Sequence, residues 1–214
     1  MSARVKICGL GDKESVRAAV AGGAAHVGFV FYPPSPRSLA LPLAAELARM
    51  AGARVNRVGL FVDPDDDLLR DTLAAVPLDM VQLHGKEPVR RVAEIRERFG
   101  RPVMKACGIS TSEDLAAARI YLSVADRILF DAKPPKRDGA LPGGNAESFD
   151  WSILTDARWP GPWMLAGGLD PDNVAEAIRR TRATDVDVSS GVEDKPGRKN
   201  PEKIRAFLKA AAGA

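Results

Sequence analysis

Cysteine, histidine and aromatic side chains are scarce in this chain. Of 214 residues, two are cysteine, two are histidine and 6% are aromatic. Two cysteines do not make a disulfide framework, and Cys8 and Cys107 lack the spacing of a zinc site. The expected compartment is the reducing cytoplasm. A net charge of +3 and a pI near 9.0 are mildly basic. The arginines are scattered along the chain, however, and few aromatics interleave with them, so a nucleic-acid surface is not expected. Solvated helix faces explain the charge, and a small anionic substrate is compatible with it. No apolar run is long enough to span a bilayer, and the first residues lack the basic-then-apolar pattern of a signal peptide. A membrane is therefore not an expected partner. With 45% hydrophobic residues at this length, there is material for one sizeable core.

What is present is a repeated alternation. Short apolar stretches at 5–10, 25–30, 55–62, 78–84, 102–106, 127–131, 163–166 and 184–188 read as buried strands. Helical patterns lie between them: one capped by Asp12 and running to Ala21, then 41–51, 64–75, 88–99, 171–182 and 201–212. Another is opened by the capping box Ser110-Thr111-Ser112-Glu113. Strands alternating with helices and no domain break mean parallel strands with crossover helices. Eight such units predict an α/β fold, a single (β/α)8 barrel over residues 1–214. A doubly wound open sheet is the alternative, but no G-x-G-x-x-G follows the first strand.

In the first strand Lys6 and Cys8 share one face and Val5 and Ile7 the other. A buried free cysteine is usually an inert core residue, and that reading stands beside a functional one. Lys6-Ile7-Cys8-Gly9-Leu10 is echoed by Lys105-Ala106-Cys107-Gly108-Ile109, which offers a second candidate cysteine. In barrels of this type chemistry sits at the C-terminal strand ends and the loops after them. Those ends supply Cys8, Arg37, His84, Cys107, Asp131, Gly167-Gly168 and Ser189-Ser190-Gly191. Gln82 with His84, and Asp185 with Asp187, put further polar groups on the same interior faces, where they oppose folding unless paired or used. Glycine-rich ends after strands seven and eight let backbone N–H groups approach an anion, and a following helix N-terminus adds positive charge. They point to a phosphate ligand.

As an ordered set, Lys6-Ile7-Cys8-Gly9, Gly28-Phe29-Val30-Phe31-Tyr32 with Ser35-Pro36-Arg37, Val81-Gln82-Leu83-His84-Gly85, Leu165-Ala166-Gly167-Gly168-Leu169 and Asp187-Val188-Ser189-Ser190-Gly191-Val192-Glu193 span the whole chain. In this they resemble the phosphoribosylanthranilate isomerases of tryptophan biosynthesis. The resemblance implies a ribulose-phosphate-binding barrel that performs an Amadori rearrangement, turning an aminoaldose phosphate into an aminoketose phosphate. It makes Cys8 the general base and Asp131 the general acid. Arg37 would hold the anthranilate carboxylate, and His84 and Asp187 would be polar pocket residues, with Gln82 and Lys6 beside them. Gly167, Gly168, Ser189, Ser190 and Gly191 would bind the phosphate. A free thiol has a pKa near ~8.5 and must be partly thiolate to act as a base, so Lys6 is expected to stabilise it. No metal or cofactor is implied. The partner is a small sugar phosphate, and the chain is expected as monomer or homodimer, with association to neighbouring tryptophan-pathway enzymes left open. Cys107 and His26 are expected to be structural. The family's Gly-Gly-Thr-Gly is replaced by Gly143-Gly144-Asn145-Ala146, leaving the loop after strand six undefined, and Lys133, Lys136 and Arg137 open that loop as a lid or a solvated run. Rival readings are the aminoaldose isomerase of histidine biosynthesis, an indole-3-glycerol-phosphate synthase with a lysine acid, a Schiff-base aldolase using Lys105, and a non-catalytic phosphate-binding barrel.

Overall fold

The computed structural model describes residues 3–135, 141–145, 147–155 and 159–214. Eight parallel strands form a closed barrel in chain order: β1 (Arg4–Ile7), β2 (His26–Val30), β3 (Asn56–Phe61), β4 (Met80–Leu83), β5 (Val103–Ile109), β6 (Arg127–Ala132), β7 (Trp163–Leu165) and β8 (Asp185–Val188). β8 closes onto β1 with Arg4 level with Asp185 and Lys6 level with Asp187. The crossover helices are α1 (Lys13–Ala21), α2 (Leu41–Ala51), α3 (Asp66–Ala75), α4 (Val89–Phe99), α5 (Ser112–Ala118), the single turn α6 (Ser152–Thr155), α7 (Val174–Thr181) and α8 (Pro201–Ala212). A small antiparallel hairpin, β9 (Glu193–Lys195) and β10 (Arg198–Lys199), sits between β8 and α8. No pattern in the sequence announced it.

Among the described residues, four of the eight helix starts are capped by side chains. Asp12 accepts the N–H of Ser15 at 2.8 Å, Asp65 that of Leu68 at 2.8 Å, and Asn200 those of Glu202 and Lys203 at 2.8 and 3.1 Å. The capping box of α5 is shifted by one residue from expectation, to Thr111 and Asp114. β5 continues to Ile109 and not merely to Ala106, so Ser110 is still leaving the strand when the helix begins. α7 starts at Val174, later than expected, because Asp170 first closes a turn by accepting the N–H groups of Asp172 (2.8 Å) and Asn173 (2.9 Å).

Two apolar regions hold the fold. The larger lies between strands and helices, with Val5, Ile7, Phe29, Val81, Leu83, Val103, Phe130, Leu165, Val186 and Val188 pointing outward from the barrel. The smaller, built from Val58, Met80, Met104, Ala106, Leu129, Met164 and Ala166, fills the barrel interior. Below it Asp185 meets Arg4 at 2.9 Å, Arg127 at 2.8 Å and His26 at 3.8 Å. Burial alone would raise the Asp185 pKa, but the neighbouring His26, the hydrogen bond from Arg4 and the charge of Arg127 outweigh it and hold the carboxyl below its ordinary value. His26 is thus part of a charge-compensated floor, in line with its expected structural role.

Candidate active site

At the opposite end of the barrel lies an open cavity of about 790 Å³, lined by Cys8, Arg37, Gln82, His84, Asp131 and Asp187 among others. Strand parity brings these groups together. Lys6 and Cys8 project inward from β1 and Asp187 from β8. Gln82 and His84 come from the end of β4 and Asp131 from β6. Gly167, Gly168, Ser189 and Ser190 form another part of the wall. Gly191 lies just behind, within a 3-10 turn, Ser190–Val192.

Lys6 is fully buried and bonds Asp187 Oδ1 at 3.0 Å. Burial opposes its charge, but Asp187 and the neighbouring Cys8 more than compensate, and its pKa lies above the ordinary lysine value. For Cys8 the balance goes the other way. Burial pushes the thiol up, Lys6 pulls it down, and Asp187 pushes it up again, leaving a net raised pKa. Lys6 therefore acts in the expected direction, but burial and Asp187 outweigh it and favour the thiol over the thiolate. The reason is that Lys6 is already shared with Asp187 and that Cys8 is buried, 3% exposed.

Asp131 accepts the backbone N–H of Ala132 through Oδ1 at 2.9 Å, and its Oδ2 lies 3.2 Å from His84 Nε2. The other ring nitrogen, His84 Nδ1, is 3.1 Å from the Gln82 amide nitrogen. The ring is thus held between Gln82 at Nδ1 and Asp131 at Nε2. Gly143 approaches this pair so closely that a Cβ there would stand 2.7 Å from His84 Nε2 and 2.9 Å from Asp131 Oδ2. Residues 141–145 thus cover the site from above. Lys133 instead pairs with Asp114 at 2.6 Å on the outside, and Lys136 and Arg137 lie outside the described residues.

Arg37 is where expectation changes most. Its Nε and Nη2 form a fork on Glu193, both at 2.8 Å, and Nη2 also reaches Gly144 O at 3.2 Å. Glu193 in turn bonds Lys199 at 2.6 Å. Neither Glu193 as a functional group nor Lys199 was singled out by the sequence, since β9 and β10 carried no strand signal. Asp170 Oδ1 accepts the N–H groups of Asp172 and Asn173, the two residues just ahead of α7. Lys105 and Cys107 are not in the cavity. Met104 and Ala106 take the interior face of β5, and Lys105 points outward to Glu87 Oε2 and Gly85 O, each at 2.9 Å. Cys107 is partly buried against the outer core, as expected, and burial pushes its thiol up to about 11.

A closed parallel barrel with a thiol, a carboxyl group and glycine-rich loops around one cavity at its C-terminal mouth has the architecture of a barrel enzyme. Comparison gives the family. The model of the N-(5'-phosphoribosyl)anthranilate (PRA) isomerases matches residues 5–210, and the chain belongs to that family. The isomerase of Paramagnetospirillum magneticum is 58% identical over 213 residues, covering 100% of this chain and 99% of its own. The crystal structure of the Thermotoga maritima isomerase superposes with a TM-score of 0.88 at 39% identity, covering 99% of this chain and 100% of that one. A phosphoribosyl anthranilate isomerase crystallised with reduced 1-(o-carboxyphenylamino)-1-deoxyribulose 5-phosphate matches with a TM-score of 0.86 at 38% identity, over 99% of this chain and 100% of its own.

Proposed function

We infer that this chain isomerises N-(5'-phosphoribosyl)anthranilate to 1-(2-carboxyphenylamino)-1-deoxyribulose 5-phosphate, an aldose–ketose step of tryptophan biosynthesis. The observation that carries the residue assignment is the presence of Cys8 and Asp131 on the wall of one cavity at the C-terminal mouth. In our reading Asp131 gives its proton to the furanose oxygen as the C1–O bond breaks, leaving a C4 hydroxyl and an iminium at C1. Cys8 as thiolate then takes the proton from C2, producing an enolamine. Transfer of the enol proton and protonation of C1 complete the ketone, and the acid and base return to their starting states.

The order follows from electrostatics. The Cys8 thiol is held up by burial in the free pocket. A cation formed next to it favours the thiolate, the thiol's own proton passing to solvent and being regained from solvent after turnover, so ring opening prepares the base. Acid–base groups placed in this way each contribute roughly 10²–10⁴-fold. His84, oriented by Gln82, faces Asp131 Oδ2 and fixes the position of that carboxyl group at the cavity wall. We assign the substrate phosphate to the Gly167-Gly168 and Ser189-Ser190-Gly191 ends, where backbone N–H groups supply the contacts. The anthranilate carboxylate goes to Arg37. The outward-facing, fully bonded Lys105 gives no support to the lysine-based rivals. Two unpaired cysteines suit a reducing compartment, and we assign the chain to the cytoplasm as one barrel unit.

The test is turnover of freshly prepared phosphoribosylanthranilate by the purified protein, read by anthranilate fluorescence, with Asp131→Asn alongside. Rapid conversion by the wild type and a loss of about 10²–10⁴ in kcat/KM for the folded variant are expected. A folded wild type that leaves this substrate unchanged but converts the histidine-pathway aminoaldose would overturn the assignment.

A further inference from the structure

The β9–β10 hairpin is not needed to complete the alternation of strands and helices, yet it buries charge. The side chains of Glu193 and Lys199 are 4% and 1% exposed. Glu193 receives the Nε/Nη2 fork of Arg37 and the ammonium of Lys199, and Gly197 N–H reaches its Oε2 at 3.3 Å. Lys199 spends its other contacts on Ser189, bonding O at 2.9 Å and Oγ at 3.2 Å. At the hairpin turn Gly197 has φ +82°, and a Cβ there would stand 2.5 Å from Pro36 O. Only glycine fits both the dihedral and that approach. The hairpin therefore grips the loop bearing Arg37 at two places and the loop bearing Ser189 at a third.

A guanidinium has one fork edge made by Nε and Nη2 and another made by its two Nη atoms. Glu193 occupies the first. Among the described residues Nη1 has no hydrogen-bond partner, and it faces the backbone of Gly144, where a Cβ would lie 2.8 Å from it. The buried group holds two cations and one anion, leaving one positive charge at the pocket wall. Such a group is a poor source of stability in itself. Its geometry has a use, because it fixes one arginine in one orientation.

We propose that Glu193 and Lys199 are positioning residues that set the two ends of the substrate site in register. Glu193 turns Arg37 so that Nη1 is presented to the aromatic carboxylate, and Lys199 holds Ser189 at the phosphate end. This rests on the assignment of Arg37 to the carboxylate made above. Glu193 also withdraws part of the Arg37 charge, so a purely electrostatic view makes the opposite prediction, that removing Glu193 strengthens carboxylate binding.

The experiment measures binding of two non-reacting probes, reduced 1-(o-carboxyphenylamino)-1-deoxyribulose 5-phosphate and its counterpart lacking the carboxyl group. Wild type, Glu193→Gln and Arg37→Leu are compared. The wild type is expected to prefer the carboxylated probe by roughly ten- to a hundredfold. Glu193→Gln should reduce that preference to about threefold or less, with affinity for the decarboxylated probe little changed. Unchanged or stronger carboxylate preference overturns the proposal, as does an equal loss for both probes, which is the sign of a merely structural residue. If Arg37→Leu keeps the wild-type preference, the Arg37 assignment itself is wrong. If Arg37→Leu loses the preference and Glu193→Gln keeps it, only the positioning role fails. Should Glu193→Gln not fold, Glu193→Asp keeps the charge, shortens the reach to the fork, and must show the same selective loss.

Discussion

Two pentapeptides of nearly the same sequence have opposite fates in this barrel. In Lys6-Ile7-Cys8-Gly9-Leu10 the lysine and cysteine face the interior, the lysine bonded to Asp187 and the cysteine lining the cavity. In Lys105-Ala106-Cys107-Gly108-Ile109 they face outward, toward Glu87 and the ring of Tyr121, whose centroid is 5.6 Å from the ammonium. The difference comes from what flanks them. In β1 the apolar residues are Val5 and Ile7, out of step with the lysine, so the helices take them and the lysine turns inward. In β5 Met104 and Ala106 fill the interior, and Lys105 shares its face with Val103 and Ile109. A local motif thus sets which residues share a face, and the competition for apolar burial sets which face is inside.

Lysine removal should separate the two strands most strongly. Lys105→Met leaves Glu87, 1% exposed, without its cation. A loss of about 3–5 kcal/mol in unfolding free energy is expected, with kcat/KM of the folded protein within about threefold of wild type. Urea unfolding together with turnover checks it. Lys6→Met should lower stability and turnover together, because Asp187 and Cys8 both lose their neighbour.

A smaller effect is expected at Gly28, the β2 residue beside Cys8. A Cβ there would stand 2.9 Å from the Cys8 sulfur and 3.3 Å from Lys6 Nζ. Gly28→Ala should destabilise by about 1–3 kcal/mol through overpacking and should displace the sulfur, lowering kcat more than it raises KM. Steady-state kinetics with thermal melting would show a purely stability effect if the sulfur does not move.

The smallest effect lies in the titration of the two thiols. Both are raised above the ordinary value by burial, and Cys107 should react with iodoacetamide with a midpoint near about 11. Because Lys6 lowers the Cys8 pKa, Lys6→Met should move the Cys8 midpoint further upward and leave that of Cys107 in place. An unmoved Cys8 profile would remove Lys6 from the account of the base.

Much of this was legible from period and order alone. The eight strands, the inward faces of β1, β4, β6 and β8, and the convergence of Cys8, His84, Asp131 and Asp187 follow from alternation within single strands. Contacts between segments far apart in the chain did not show. Arg37 and Glu193 are 156 residues apart, and neither carries a mark of the other. The five-residue hairpin core Glu193–Lys195 with Arg198–Lys199 is too short and too charged for a strand pattern. The raised thiol of Cys8 was equally hidden, since it depends on how completely the closed barrel excludes water and on Lys6 being shared with Asp187.

The central claim is that the first pentapeptide, and not its near copy, supplies the base. Single-turnover conversion of phosphoribosylanthranilate by Cys8→Ser and Cys107→Ser, each shown to be folded, tests it directly. Conversion slowed by about a hundredfold or more in Cys8→Ser, with Cys107→Ser close to wild type, is the predicted result. Undiminished conversion by Cys8→Ser would contradict it, whatever Cys107→Ser shows.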